Sequence, residues 1–119
     1  MKYAFVNQAK SEPFPKGRGI CSNCDAELIA KCGRVKIWHW AHKGKPPCDP
    51  WWETETQWHR DWKNNFPADW QEVSHIDPLS GEKHIADLKN PFGLVVEFQH
   101  SPIKPEEMAS REAFYENMV

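Results

Sequence analysis

Apolar and polar residues alternate along this chain in short bursts, each bounded by turn residues. Residues 3–7 predict a short strand. Ser11–Gly19 holds two Pro and two Gly and predicts a loop. Ala26–Lys31 and Val35–Ala41 predict a β-hairpin closed by Cys32-Gly33-Arg34. Asp49-Pro50 is a helix start, because Asp caps well and Pro suits the first helical position. The helix is expected over 51–65, with Trp51, Trp52, Glu55, Trp58, His59 and Trp62 on one face, and Pro67 ends it. Strands follow at 71–76, 83–89 and 93–99, turned by Asp77–Glu82 and by Asn90–Gly93. Pro105-Glu-Glu opens a last helix over 105–116. The expected architecture is mixed α+β: a β-rich module in residues 1–48, then an αβββα core in residues 49–119, in one compact unit.

A length of 119 residues supports one domain. Mean hydropathy is −0.77, and no apolar run approaches the roughly 20 residues of a membrane span, so no membrane partner is expected. MKYAFVNQAK has no signal-peptide core, and the expected setting is the reducing cytoplasm. Seven Trp, two Tyr and six Phe argue against disorder. With few aliphatic residues, Trp is expected to supply much of the buried area, and Cys and His to staple the fold. The net charge of −2 excludes a bulk polycation. Yet Lys31, Arg34, Lys36, Lys43 and Lys45 follow one another with no acid between them, which predicts either a solvated face or a phosphate-facing patch.

Four cysteines, Cys21, Cys24, Cys32 and Cys48, lie in a setting that disfavours disulfides. Cys21-Ser-Asn-Cys24 is a CxxC knuckle, and His39, His42 and Cys48 follow within 30 residues, which favours zinc over a redox pair. Cys32 falls at the hairpin tip, about 20 Å from Cys24 at ~3.3 Å per residue. The returning strand brings His42 back beside Cys24, while His39 lies up the strand on the opposite face. The preferred ligands are Cys21, Cys24, His42 and Cys48, with His39 in place of Cys48 as the alternative. Four protein ligands make a structural site.

The second hairpin carries a different chemistry. Glu97 and Gln99 share a strand face, Asp87 lies on the adjoining strand, and Leu94, Val96 and Phe98 take the other side. Glu55 and His59 are i, i+4 on the predicted helix. A carboxylate among Trp residues is costly unless paired or metal-bound. Glu55, Asp87 and Glu97 together suit a hard cation such as Mg²⁺, which lowers the pKa of water and steadies a phosphodiester. The competing reading is solvent-facing acids.

The string CSNC, IAKCG, HWAHKG, WWETETQWH, HIADL, VVEFQHSPI and R-x-x-x-Y, from Gly19 to Tyr115, resembles the competence protein CoiA-like nucleases of the PD-(D/E)xK, or restriction-endonuclease-like, superfamily. The resemblance implies a Mg²⁺- or Mn²⁺-dependent DNA endonuclease, with DNA as partner. Asp87 and Glu97 would hold the ion. Glu55 and His59 match the helix motif, and Gln99 falls where the superfamily often has Lys. His59 would serve as general base or phosphate contact, and Gln99 would orient the nucleophile or the phosphate. The Cys/His module is similar to the family's zinc element. Arg111 and Tyr115 match its final helix, where Arg111 would meet phosphate, as would Arg34 and Lys36 in the basic run. Trp or His beside the site could stack unpaired bases. Relatives continue past Met118-Val119 with another strand, and without it an exposed sheet edge leaves a homodimer open. The rival readings are a catalytically silent zinc-stapled binding module and a zinc hydrolase. The second needs an open coordination position that a Cys-rich set lacks. Packing roles compete for His84, His100 and Ser101.

Overall fold

The computed structural model describes residues 1–51 and 55–119. Its first half is an antiparallel sheet of β1 (Ala4–Val6), β2 (Ala9–Ser11), β3 (Arg18–Ile20), β4 (Glu27–Lys31) and β5 (His39–His42), in the order β2-β1-β3-β4-β5. Asn7 and Gln8 join β1 to β2, both at positive φ (51° and 66°), the turn geometry that matches strand twist. β2 and β3 claim the ends of the expected 11–19 loop. Gly19 is required where β3 crosses β1, since a Cβ there would stand 2.8 Å from the Ala4 Cβ.

The β4–β5 hairpin forms, but its loop is wider than the three-residue turn expected. Lys31 pairs with His39 and Leu28 with His42, so residues 32–38 all lie outside the ladder.

The second half runs α1 (Gln57–Lys63), a 3₁₀ turn (Ala68–Trp70), β6 (Gln71–Ile76), β7 (Lys83–Lys89), β8 (Val95–Val96) and α2 (Pro105–Tyr115). β6, β7 and β8 form a second antiparallel sheet in that order. The bounds of β6 and β7 fall at the expected residues, and α2 ends at Tyr115. The first helix does not. Thr56, not Asp49, is its N-cap, with the Thr56 hydroxyl accepting from the His59 amide. Trp51 and Glu55 precede it outside the helix, and Trp52, expected on its inner face, lies outside the described residues. Asp49 instead closes a local turn by accepting from the Trp51 amide at 3.0 Å.

β8 is shorter than the 93–99 expected, because side chains take over the pairing beyond Val96. On its other side, Met118 bridges Val95 in parallel, and the Val119 amide donates to the Val95 carbonyl at 2.8 Å.

Consecutive residues of β7 face opposite ways. Ile85 joins Met1, Ala4, Cys21, Leu28 and Trp40 in one apolar cluster. Ala86 joins Val95 and Tyr115 in another, against Trp51 and Phe114. Thus β7 ties the two sheets into one interior. Trp40 is fully buried, but Trp38, Trp58 and Trp62 are 43%, 37% and 47% exposed, so the core uses less tryptophan than the composition suggested. Among the described residues, no helix is long and apolar enough to cross a membrane.

Candidate functional site

The CxxC knuckle follows β3 directly. The Cys21 amide donates to the Ala26 carbonyl, and Asp25 turns the chain at φ 61°. His42 comes from the end of β5 and Cys48 from the loop beyond it. The ligand atoms of Cys21, Cys24, His42 and Cys48 lie within 4.8 Å of one another, a cluster that could hold a zinc ion. Cys21 Sγ is 3.8 Å from Cys48 Sγ, and Cys24 Sγ is 3.4 Å from His42 Nε2.

The surroundings fit thiolate ligands. The Asn23 amide donates to Cys21 Sγ, and Asn23 Nδ2 donates to Cys48 Sγ, both at 3.4 Å. Burial pushes the Cys21 thiol up to about 12 without a cation, a cost that a metal removes by displacing the proton. His39 stands outside the cluster, its Nδ1 donating to the Ile37 carbonyl at 2.8 Å. Cys32 stands in the wide hairpin loop. Three thiols and an imidazole close a tetrahedron, which is a structural arrangement.

Two ties run from this cluster into the second sheet. The Ser74 hydroxyl donates to Asn23 Oδ1 at 2.7 Å. Asp49, beside Cys48, accepts from the Ile85 amide at 2.8 Å and faces His84 Nδ1 at 2.7 Å. His84 also meets Glu82 through Nε2 at 2.7 Å and stacks on Trp51 at 3.5 Å. His84 is therefore a buried bridge rather than a surface residue.

Helix α1 reverses the usual burial pattern. It buries His59, Arg60 and Lys63 and leaves Trp58 and Trp62 partly exposed against Phe98. Lys63, 1% exposed at its side chain, places Nζ 2.8 Å from Glu55 Oε2, 3.0 Å from Glu72 Oε2 and 4.0 Å from Asp87 Oδ1. Burial alone would lower its pKa, but Glu72, Asp87 and Glu55 outweigh that and hold it above the ordinary lysine value. Arg60 Nε lies 3.6 Å from Glu55 Oε1.

Glu72 sits in β6 at φ 49°, a left-handed conformation that costs a non-glycine residue about 1–3 kcal/mol. Gln71 pairs with Leu88 and Val73 with Ala86, which leaves Glu72 across from Asp87. Its carboxylate accepts from the Lys2 amide at 2.7 Å and the Tyr3 amide at 2.9 Å. Burial opposes its charge, yet Lys63, the N-terminal ammonium and these amides bring its pKa down to about 2.

Asp87 and Glu97 meet where β7 and β8 part. The Phe98 amide donates to Asp87 Oδ2 at 2.8 Å, and the Asp87 amide donates to Glu97 Oε2 at 3.1 Å. These two bonds replace the backbone ladder that stops at Leu88–Val96. Both carboxyls are pushed up, Glu97 to about 9, by desolvation first and in Glu97 next by the neighbouring Asp87 charge.

The two acids share a cavity of about 20 Å³ with Glu55, His59, Gln99 and Arg111. That is room for one water or one small ion. His59 Nδ1 bonds the Thr56 hydroxyl at 2.8 Å. Gln99 Nε2 donates to the Ser101 carbonyl at 2.8 Å, and its Oε1 accepts from Arg111 Nη1 at 3.2 Å. Arg111 Nη2 donates to the Trp51 carbonyl at 2.9 Å. The donor set suits a divalent cation: the carboxyls resist ionising together without one, and the buried Glu55 Oε1 has no hydrogen-bond partner among the described residues.

Six residues singled out from sequence, Glu55, His59, Asp87, Glu97, Gln99 and Arg111, thus line one cavity. Arg34 and Lys36 do not; they are exposed on the 32–38 loop and line a neighbouring groove. Sequence reading missed Lys63, Glu72 and Arg60. Lys63 did carry a signal, standing i+4 from His59. Glu72 carried none, because its position depends on a left-handed backbone.

No curated protein and no solved structure matches the chain. Residues 7–50, which hold β2 to β5 and all four cluster ligands, match the family model described as competence protein CoiA, N-terminal domain.

Proposed function

We propose that this chain is a Mg²⁺- or Mn²⁺-dependent DNA endonuclease of the PD-(D/E)xK, restriction-endonuclease-like type, stapled by a structural zinc. The observation that carries the reading is the facing of Asp87 and Glu97 in a small polar cavity with Glu55, His59, Gln99 and Arg111. The αβββα order of the second half and the CoiA N-terminal match support it.

Asp87 and Glu97 would hold the divalent ion, which when bound supplies charge stabilisation to a phosphate and acidifies an attacking water. Glu55 would accept a hydrogen bond from that water through Oε1. Arg111, oriented by the Trp51 carbonyl and Gln99, would meet a phosphate oxygen. Gln99 carries no charge and would orient rather than neutralise. Lys63, which also lines the cavity, adds a second buried positive charge to that of Arg111. His59, held through Nδ1 by Thr56, would act as phosphate contact or base.

A second reading has its own observation. The Lys63 ammonium already sits among Glu55, Glu72 and Asp87, where it competes with a divalent ion for negative charge. This favours a catalytically silent, zinc-stapled binding module. Incubation of supercoiled plasmid and of single-stranded DNA with Mg²⁺ or Mn²⁺ separates the two. Metal-dependent nicking or linearisation, absent in Asp87→Ala, supports the nuclease. No cleavage with either ion, or equal cleavage by the variant, leaves the binding module.

A further inference from the structure

A second cavity, much larger than the carboxylate site, is an open groove of about 880 Å³ between the 32–38 loop and the start of α1, and Glu55 lines both. Its volume falls within the roughly 300–1,000 Å³ typical of ligand pockets.

The groove wall is built for a particular kind of occupant. While Glu12 and the buried Glu55 line the groove elsewhere, Arg34 and Lys36 stand exposed on the loop, in the stretch from Lys31 to Lys45 that holds five basic residues and no acidic one. Val35 between them is 97% exposed, so the two cations project from a ridge rather than pack against the fold. Trp38 lines the same wall and is 43% exposed. It is nevertheless fixed. Its indole Nε1 donates to the Gly33 carbonyl at 3.1 Å, and its own carbonyl accepts from Arg60 Nη2 at 2.8 Å. Arg60 is in turn anchored by the buried Glu55. A hydrogen-bonded, partly exposed indole beside two exposed cations suits a stacking platform beside phosphate contacts.

We infer that this groove receives an unpaired strand of nucleic acid, with a base stacked on Trp38 and phosphates at Arg34 and Lys36, and leads that strand past Glu55 to the carboxylate cavity. The functional meaning of the last step rests on the nuclease reading; the binding does not. A duplex offers Trp38 no free base face, because its bases are already stacked on one another. The alternating indole and cations suit a strand whose base faces are free.

The test is fluorescence anisotropy of a labelled oligothymidylate against a duplex of the same length, with Mg²⁺ and Mn²⁺ left out so that no turnover occurs and the zinc stays in place. The single strand is expected to bind more tightly than the duplex. Trp38→Ala should weaken it by about 5- to 100-fold, while Trp38→Phe, which keeps a ring, should retain most of the affinity. Arg34→Ala with Lys36→Ala should weaken binding and flatten its log–log salt slope by about 1.4. Duplex bound as tightly as single strand, or Trp38→Ala and the double variant both binding as wild type, overturns the inference. The nuclease reading fails separately: an oligonucleotide bound through Trp38 but uncut in Mg²⁺ or Mn²⁺ keeps the groove and removes the enzyme.

Discussion

The Asp87 amide donates to the Glu97 carboxylate at 3.1 Å, while Asp87's own carboxylate accepts from the amide that follows Glu97. Each acid thus stands in for part of the other strand's backbone. The sheet is opened by the same two side chains that line the cavity.

A pH signature follows from this pair. Glu97 is raised from 4.5 to about 9, so the folded chain holds its proton more tightly than the unfolded chain. The stability this contributes is complete below the ordinary carboxylate value and is lost as pH rises toward the folded value. With zinc retained and no other divalent cation added, the melting temperature of wild type should fall relative to Glu97→Gln as pH is raised from about 5 to 9, and added Mg²⁺ should reduce the difference. Parallel melting curves for the two proteins across that range would contradict it.

Lys63 balances three acids from one buried point. Lys63→Met removes that balance and strands the charges. The expected loss is about 3–5 kcal/mol in urea unfolding at neutral pH. The loss should shrink on acidification, as Glu72 and Asp87 take up protons. A variant as stable as wild type at pH 7 would show that the charges are relieved in some other way.

The zinc set makes a sharp prediction in metal content. Wild type should carry about one zinc per chain, and Cys21→Ser or Cys48→Ser should lose it together with cooperative unfolding. Cys32→Ser and His39→Ala should keep the metal, because neither residue joins the cluster. Loss of zinc from His39→Ala with retention in Cys48→Ser would reverse the assignment.

His84 holds Asp49 in place between the zinc loop and β7. Removing a buried hydrogen bond to a charged group costs about 1.5–3 kcal/mol. His84→Ala should cost that much, plus the stacking on Trp51. His84→Phe should recover the stacking part alone. Equal unfolding free energies for the two variants would show that the ring contact contributes nothing.

Much of this was legible in the chain. The period-2 runs at 71–76 and 83–89 placed β6 and β7, and hairpin register brought His42, not His39, back to the knuckle. Glu55, His59, Asp87, Glu97, Gln99 and Arg111, singled out by spacing and resemblance, line one cavity. What sequence could not show depends on tertiary pairing. The Trp-rich periodicity of the first helix looked like an inward face, but its inner side is taken by His59, Arg60 and Lys63, whose burial only the surrounding acids make affordable. The Asp49-Pro50 cap signal was real chemistry, used for a turn and a bridge to β7 instead of a helix. The run 93–99 alternated like a strand, yet beyond Val96 the Glu97 amide donates to the Val119 carbonyl and the Phe98 amide to the Asp87 carboxylate.

The bonds that join the half with the Cys/His cluster to the rest bear on how the chain reaches this state. Lys2–Glu72, Asn23–Ser74 and Asp49–Ile85 close loops of 70, 51 and 36 residues. Contacts so distant along the chain form late and slow the search. The four cysteine and histidine ligands span only residues 21 to 48, so metal capture can precede all three. The ion would then act as a folding nucleus, and its arrival would set the pace at which the distant carboxylates are gathered.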